Sequence, residues 1–210
     1  MLEIIPFVQG PVETNAFLVA DDKLKQAVVI DPAWDGKLIA EEAARRGWQI
    51  NEIWLTHAHF DHIAGAAGLV AVVKPAPAVA LHPDDLPLYE MQGGAPLFGM
   101  RIDPGPKPQI QLTPGHRLQV GGFAFQARHT PGHTSGHVIF YCAQQKVVFC
   151  GDVIFRGSIG RTDLPGGSYE TLIHSIESQI LTLPDETILY SGHGPETKVG
   201  IERAYNPFLG

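Results

Sequence analysis

The stretch Thr56-His57-Ala58-His59-Phe60-Asp61-His62 places three histidines and one aspartate within six residues. It follows the apolar run 52–55, which predicts a buried strand, and it leads into 63–70, which predicts a helix. In an extended segment, residues two apart point the same way, so His57 and His59 can bind one ion. The chain then turns, so that Asp61 and His62 can face a second ion beside the first. The spacing favours a metal-binding loop over a surface loop that is merely rich in histidine.

Three further candidate donors lie downstream, each after a predicted strand and each beside glycine. They are His133 in Thr130-Pro131-Gly132-His133-Thr134, Asp152 in Cys150-Gly151-Asp152, and His193 in Ser191-Gly192-His193-Gly194. Two ions need about eight donors at roughly four each, so the first loop requires such additions. Glycine at these points lets the backbone approach the metals closely. The candidate metal-binding residues are therefore His57, His59, Asp61, His62, His133, Asp152 and His193.

Composition narrows the classes of function. A chain of 210 residues with 44% hydrophobic and 18% charged residues predicts one soluble domain over 1–210. No run approaches the roughly 18 apolar residues of a membrane span, and residues 1–6 have no signal-peptide character, so we predict a cytoplasmic protein with no membrane partner. A net charge of −7 argues against nucleic acid as a partner. Cys142 and Cys150 are predicted to be buried, reduced thiols.

Hydrophobic patterning predicts alternating strands and helices. Asp35 is expected to cap the first helix, and Asp31 is assigned to turn chemistry, with a contact to a metal ligand as the alternative. The glycine- and proline-rich segment 92–108 predicts either a loop beside the site or a surface excursion. The predicted strands are 2–8, 16–20, 26–31, 52–55, 79–81, 118–120, 123–129, 137–142, 146–150 and 187–190. The predicted helices are 36–47, one that follows the metal loop and runs to about 73, one that opens with His82-Pro83-Asp84-Asp85, and 168–181.

The full set of seven donors resembles the metallo-β-lactamase superfamily pattern, complete and in the family's order. The resemblance implies an α/β fold, an αββα sandwich of two mixed β-sheets with outer helices. Within the superfamily the chain resembles compact bacterial glyoxalase II-like hydrolases, in the stretches 56–62, 81–83, 130–134, 151–163 and 192–195 and in Asn206-Pro207-Phe208. It departs from typical glyoxalase II in lacking the C-terminal helical domain that binds glutathione, so we expect weak glutathione specificity.

By the same resemblance, two zinc ions are expected, with iron or manganese as alternatives. The implied ligands are His57, His59 and His133 for one ion, Asp61, His62 and His193 for the other, and Asp152 as the bridge. Asp61 is also the predicted catalytic residue, because it can orient a hydroxide. A thiolate, whose conjugate acid has a pKa of about 8.5, leaves without protonation. We therefore predict a dinuclear zinc metallohydrolase that cleaves small-molecule thioesters such as S-lactoylglutathione to the hydroxy acid and free thiol.

Arg156 and Arg161 are candidate substrate-binding residues, because arginine pairs bidentately with carboxylates. For Arg161, a salt bridge to Asp163 is the alternative. Other functions stay open: a mononuclear-iron persulfide dioxygenase, which the chain resembles at Arg156-Gly157 and 160–163, a lactonase or β-lactamase-type hydrolase, and a non-catalytic binding module. The sequence does not specify the oligomeric state.

Overall fold

The computed structural model describes residues 1–209, whose strands form two six-stranded mixed sheets and one small hairpin. The first sheet has the order β1-β2-β3-β4-β5-β6: β1 Leu2–Gln9, β2 Thr14–Asp21, β3 Gln26–Ile30, β4 Gln49–Trp54, β5 Ala78–Leu81 and β6 Ile110–Gln111. The second has the order β14-β13-β10-β9-β8-β7: β7 Arg117–Val120, β8 Phe123–His129, β9 Val138–Cys142, β10 Val147–Gly151, β13 Ile188–Ser191 and β14 Thr197–Lys198. The hairpin pairs β11 Ile154–Phe155 with β12 Ser158–Ile159.

Helices cover the outer faces of both sheets. Side chains cap the two longest: Asp35 Oδ1 accepts from the backbone N of Lys37 and Leu38, and Ser168 Oγ accepts from the backbone N of Thr171. The cap predicted at Asp35 is thereby confirmed. The helices are α1 Gly36–Arg45, α2 Phe60–Ile63, α3 Ala66–Val72, α4 Leu86–Glu90, α5 Tyr169–Gln179 and α6 Val199–Tyr205, with 3₁₀ segments at Pro83–Asp85 and Gln92–Phe98.

Strand β2 shows how the layers are built, because it is buried along its whole length. Successive side chains point to opposite faces of a strand. Phe17 and Val19 therefore join the apolar core between the two sheets, while Leu18 joins a second core under α1 and α3. A third core, which includes Ile176, lies between the second sheet and α5. The predicted αββα sandwich is confirmed.

The parallel strand pairs bring the predicted donors to one edge. β3 runs parallel to β4, and β10 runs parallel to β13, so their carboxyl ends lie side by side. Asp31 follows β3 and the metal loop follows β4, whereas Asp152 follows β10 and His193 follows β13. Loops at the carboxyl ends of parallel strands are where open α/β sheets place their ligands. Among residues 1–209, no helix is both long enough and apolar enough to cross a lipid bilayer.

The structure corrects the predicted helix after the metal loop, which is two short helices rather than one. The break falls between α2 and α3, at Ala64 and Gly65. A Cβ at Gly65 would lie 2.3 Å from the carbonyl oxygen of Pro32, so the two backbones are in direct contact there. The short elements β6, β11, β12, β14 and α6 had no predicted counterpart, because two to seven residues carry too little periodicity.

Trp54 provides a test of the core between the sheets. Its side chain is fully buried and packs edge-on against Phe125, with the ring centroids 5.3 Å apart. We expect Trp54→Ala to lower the free energy of unfolding by about 3–5 kcal/mol, because truncating a buried aromatic residue leaves a cavity. Urea denaturation in the presence of a chelator measures this without a contribution from bound metal.

The matched control is Trp34→Ala, since the Trp34 side chain is 41% exposed. We expect it to cost about 1 kcal/mol or less. Equal losses for the two variants would show that the inter-sheet layer is not the main core.

Candidate metal centre

The first group of candidate ligands is His57, His59 and His133, whose nearest ligand atoms lie within 4.8 Å of one another. Thr56 Oγ1 donates to Asp31 Oδ2 at 2.6 Å, so its oxygen is free to accept from His57 Nδ1 at 3.0 Å. This arrangement leaves His57 Nε2 without a proton. That nitrogen is buried and has no hydrogen-bond partner among the described residues. A buried acceptor without a partner is costly, and a cation would satisfy it.

His133 is oriented in the same way by a backbone oxygen. Its Nδ1 donates to the carbonyl oxygen of Arg161 at 2.7 Å, which turns its Nε2 towards His59. His133 Nε2 and His59 Nδ1 lie 2.8 Å apart. Two imidazole nitrogens at this separation compete for one proton, whereas a shared cation would accept electron pairs from both.

The second group is Asp61, His62 and His193, which also fall within 4.8 Å of one another. His62 Nδ1 donates to Asp31 Oδ2 at 2.9 Å, and His193 Nδ1 donates to the carbonyl oxygen of Val12 at 3.0 Å. Each histidine therefore presents Nε2 to Asp61 Oδ2, at 3.4 Å for His62 and 3.3 Å for His193.

Asp152 lies between the two groups. Its Oδ1 is 3.4 Å from His62 Nε2, and its Oδ2 is 3.5 Å from the Nε2 atoms of both His133 and His193. The backbone N of Asp152 donates to His137 Nε2 at 3.1 Å. His137 is fully buried, so this contact fixes the backbone of Asp152 from within the core. The carboxylate thus contacts members of both groups.

The electrostatics of the first group favour neutral imidazole, the form that binds metal. Burial, followed by the repulsion of neighbouring imidazoles, holds the pKa of His57 well below its usual value. Burial and His133 lower the pKa of His59 to about 3. Both residues therefore remain deprotonated at neutral pH.

The second group instead attracts positive charge. Burial opposes protonation of His193, yet contacts with Asp152 and Asp61 raise its pKa to about 10. Burial also acts to raise the pKa of Asp61, but His62, His193 and Thr14 outweigh it and lower that pKa to about 2. The carboxylates of Asp61 and Asp152 are both ionised, because neighbouring histidines lower their pKa values. They need positive charge beside them, which a divalent metal can supply in place of a proton.

The structure brings all seven predicted donors together, three in each group, with Asp152 between the groups. Imidazole nitrogen and carboxylate oxygen are suitable ligands for zinc, iron and manganese. Four of the five histidines also have their other ring nitrogen hydrogen-bonded to oxygen, an arrangement usual for metal-binding histidines: His57, His62, His133 and His193. The residues therefore fit a pair of divalent ions.

Several residues that orient the donors had no predicted role. Asp85 Oδ2 accepts from the backbone N of Ala58 at 2.9 Å and from Thr134 Oγ1 at 2.8 Å, and its Oδ1 accepts from the backbone N of Gly136 at 2.6 Å. It is 1% exposed. Asp85 therefore ties the loop that carries His57 and His59 to the loop that carries His133.

The polar residues that begin β2 act on the second group. Thr14 Oγ1 donates to Asp61 Oδ2 at 2.8 Å. Asn15 Nδ2 donates to the carbonyl oxygens of Ser191 and Gly194, at 2.9 and 2.8 Å, and so stabilises the turn that carries His193. The sequence did contain a signal, because polar residues that open an otherwise apolar strand need buried hydrogen-bond partners.

The two arginines are placed differently. Arg161 lines a cavity of about 290 Å³ beside the donors, and its guanidinium forms a bidentate pair with Asp163 at 2.7 Å. The alternative salt bridge is thus present. Arg156 does not line this cavity, because its guanidinium donates to the carbonyl oxygen of Glu196. Phe98 and Met100 also line the cavity, which puts the segment 92–108 beside the site rather than in a remote excursion.

Residues 9–193 match the Metallo-beta-lactamase superfamily, so the chain belongs to this superfamily. Its members bind divalent metals through a histidine and aspartate cluster, and the predicted membership is confirmed. The chain is 42% identical to the "Probable metallo-hydrolase YqgX" of Bacillus subtilis (strain 168), covering 95% of this chain and 94% of that protein. It is 36% identical to the "Hydroxyacylglutathione hydrolase GloC" of Haemophilus influenzae, and the match covers 99% of this chain and 97% of that protein.

Solved structures agree with this assignment. BLEG-1, described as a B3 metallo-beta-lactamase, superposes with a TM-score of 0.91 at 38% identity and covers 99% of both chains. TTHA1623 in a di-iron-bound form superposes with a TM-score of 0.88 at 42% identity, covering 98% of this chain and 100% of its own. The superfamily of metal-dependent hydrolases is thus established for this chain.

Asp85 provides a test of how the site is held together. An asparagine amide at this position would turn one NH₂ group towards backbone or hydroxyl donors, so at least one of the three hydrogen bonds would be lost. We expect Asp85→Asn to weaken metal binding by about 10–100-fold, the range for residues that orient ligands. Competition with a chromogenic chelator measures the affinity.

The neighbouring Asp84→Asn is the control, because its side chain is 58% exposed. If Asp85→Asn has a native fold by circular dichroism and an unchanged metal affinity, then Asp85 does not orient the metal ligands.

Proposed function

We propose that the protein is a dinuclear metal hydrolase, with zinc as the native metal, that cleaves thioesters such as S-lactoylglutathione to a hydroxy acid and a free thiol. The observation that carries the proposal is the position of Asp152 between two complete groups of three donors. The GloC relative at 36% identity supports the substrate class. The proposed ligands are His57, His59 and His133 for one ion, Asp61, His62 and His193 for the other, and Asp152 for both.

Divalent ions in a paired site supply a nucleophilic water at neutral pH and Lewis acidity at a carbonyl oxygen. The chain's own residues contribute orientation. Thr14 holds the carboxylate of Asp61 by a 2.8 Å hydrogen bond, so Asp61 can accept a hydrogen bond from the attacking water and fix its direction. Asp61 is the proposed catalytic residue for this reason.

The cavity favours a leaving group that needs no proton. Its ionisable lining residues, within the described part of the chain, are His59, Asp61, His133, Asp152, Arg161 and His193. All but Arg161 belong to the proposed ligand set, which leaves no separate general acid. A thiolate can depart unprotonated, whereas an amide nitrogen cannot. Thioester cleavage is therefore favoured over β-lactam cleavage, although BLEG-1 is named for the latter.

The metal content and the reaction class can be tested together. We expect about two metal ions per chain, because seven donors exceed what one zinc ion binds. We also expect release of free thiol from S-lactoylglutathione without oxygen uptake on glutathione persulfide. Elemental analysis, a thiol assay and an oxygen electrode give the three readings.

Asp152→Ala should lose more activity than any arginine substitution and should bind less metal, because Asp152 would be a ligand of both ions. One iron per chain together with oxygen uptake would contradict the hydrolase proposal and indicate a persulfide dioxygenase. Ring opening of a β-lactam at higher efficiency than thioester cleavage would favour the lactamase instead.

We propose further that Arg161 binds a carboxylate of the thiol carrier. Arg161 already forms a salt bridge with Asp163, so it would have to release Asp163 in order to bind the substrate carboxylate. A charge-assisted hydrogen bond contributes about 1.5–3 kcal/mol, and the exchange takes part of this back. We expect Arg161→Ala to lower kcat/KM about tenfold for an anionic thioester and to leave a neutral thioester unchanged.

Asp163→Asn is the matched variant, because it frees Arg161 without removing it. We expect it to raise kcat/KM for the anionic thioester. If Arg161→Ala reduces both substrates equally, then Arg161 supports its loop and does not contact the carrier.

A further inference from the structure

A second cavity, of about 350 Å³, lies beside the metal cavity. His59, Phe98 and Leu164 line both spaces, so the two cavities adjoin at a proposed metal ligand. Its volume is within the range of about 300–1,000 Å³ that is usual for small-molecule sites. We call it the side cavity.

The side cavity has an apolar lining that extends to its mouth. Leu88, Met91, Leu97 and Phe98 contribute side chains to it. Met91 is 62% exposed, Leu97 is 65% exposed and Phe98 is 49% exposed, although each is a large hydrophobic residue. A cluster of exposed apolar side chains around a concavity is typical of a binding site for an apolar group.

The charges of the side cavity exclude an anionic occupant. Within residues 1–209, no lysine or arginine lines it, whereas the carboxylates of Asp84 and Asp85 do. Asp85 already accepts three hydrogen bonds from the surrounding loops. Arg161 lines the metal cavity instead, so cationic and apolar surfaces lie in different cavities.

The wall of the side cavity is formed before any ligand binds. Gly93 has a φ of +63° and lies so close to the metal loop that a Cβ there would be 2.4 Å from the backbone N of Phe60. Gln92 Oε1 accepts from the backbone N of Ile102 at 3.1 Å, and Tyr89 donates its hydroxyl to the carbonyl oxygen of Pro106 at 2.8 Å. The turn that carries Leu97 and Phe98 is therefore packed on the metal loop.

We propose that the side cavity binds an apolar acyl chain of the substrate, which makes medium-chain acyl thioesters better substrates than short ones. This rests on the proposed thioester hydrolysis. The reacting carbonyl has two substituents, the acyl chain and the sulfur. Arg161, in the metal cavity, matches an anionic carrier on the sulfur. The side cavity, which adjoins the metal cavity at Phe98 and Leu164, is then available for the acyl chain.

The test varies the two substituents separately. With glutathione kept as the carrier, we expect kcat/KM to rise about tenfold or more from the acetyl to the hexanoyl thioester, because burying each added methylene favours binding. On a constant acetyl group, lengthening an alkyl thiol should leave kcat/KM unchanged. A flat acyl series, or a rise confined to the thiol series, overturns the proposal.

Leu97→Glu places a charge on the wall of the side cavity at an exposed position, so the fold should be retained. We expect kcat/KM in this variant to stop rising with the length of the acyl chain, so that hexanoyl loses its advantage over acetyl. Leu24→Glu is the matched control, because Leu24 is 52% exposed in the turn between β2 and β3 and lines neither cavity. An equal loss on acetyl and hexanoyl substrates in Leu97→Glu contradicts the assignment.

Binding of thioethers that cannot be hydrolysed separates this proposal from the proposed function. By calorimetry, S-hexylglutathione should bind about tenfold or more tightly than S-methylglutathione, and Leu97→Glu should abolish the difference. If no thioester is cleaved but this difference is found, then the hydrolase proposal fails and the apolar site stands. Equal affinities for the two thioethers overturn the apolar site, whatever the enzyme hydrolyses.

Discussion

The carboxylate of Asp31 is the interaction on which the site depends most. Its Oδ2 accepts from Thr56 Oγ1 and from His62 Nδ1, and its Oδ1 accepts from the backbone N of Thr56. Through Thr56 it also sets the tautomer of His57. One buried carboxylate thus orients a donor in each group, and it joins the end of β3 to the end of β4. The alternative that Asp31 contacts a ligand, and not turn chemistry alone, is the one that the structure supports.

The two halves of the sandwich meet at this edge through a small number of polar contacts. Asp85 joins the loops of the first group, while Asn15, at the start of β2 in the first sheet, contacts the end of β13 in the second. Each contact is buried, so a lost partner would leave a polar atom without compensation. The geometry of the donors is therefore a property of the packed sheets rather than of any single loop.

The site also has two unlike surroundings. The second group of donors lies among ionised carboxylates, and Arg161 stands at the rim of its cavity. The side cavity, across Phe98 and Leu164, is apolar and carries no cationic side chain among the described residues. On the proposed function, such a division would sort the two ends of a thioester by polarity. On the proposed mechanism, substrate choice is then set by the segment 92–108 and by Arg161, and not by the metal ligands.

The sequence by itself predicted the strands of four residues or more and the seven candidate donors, because strand periodicity and the spacing of histidines are local properties. It also indicated the αββα architecture through its likeness to a known superfamily. Tertiary structure decided what local patterns do not encode: the roles of Thr14, Asn15 and Asp85, and the break between α2 and α3. These depend on contacts between residues far apart in the chain or on backbone packing. Only folding brings those partners within hydrogen-bonding distance.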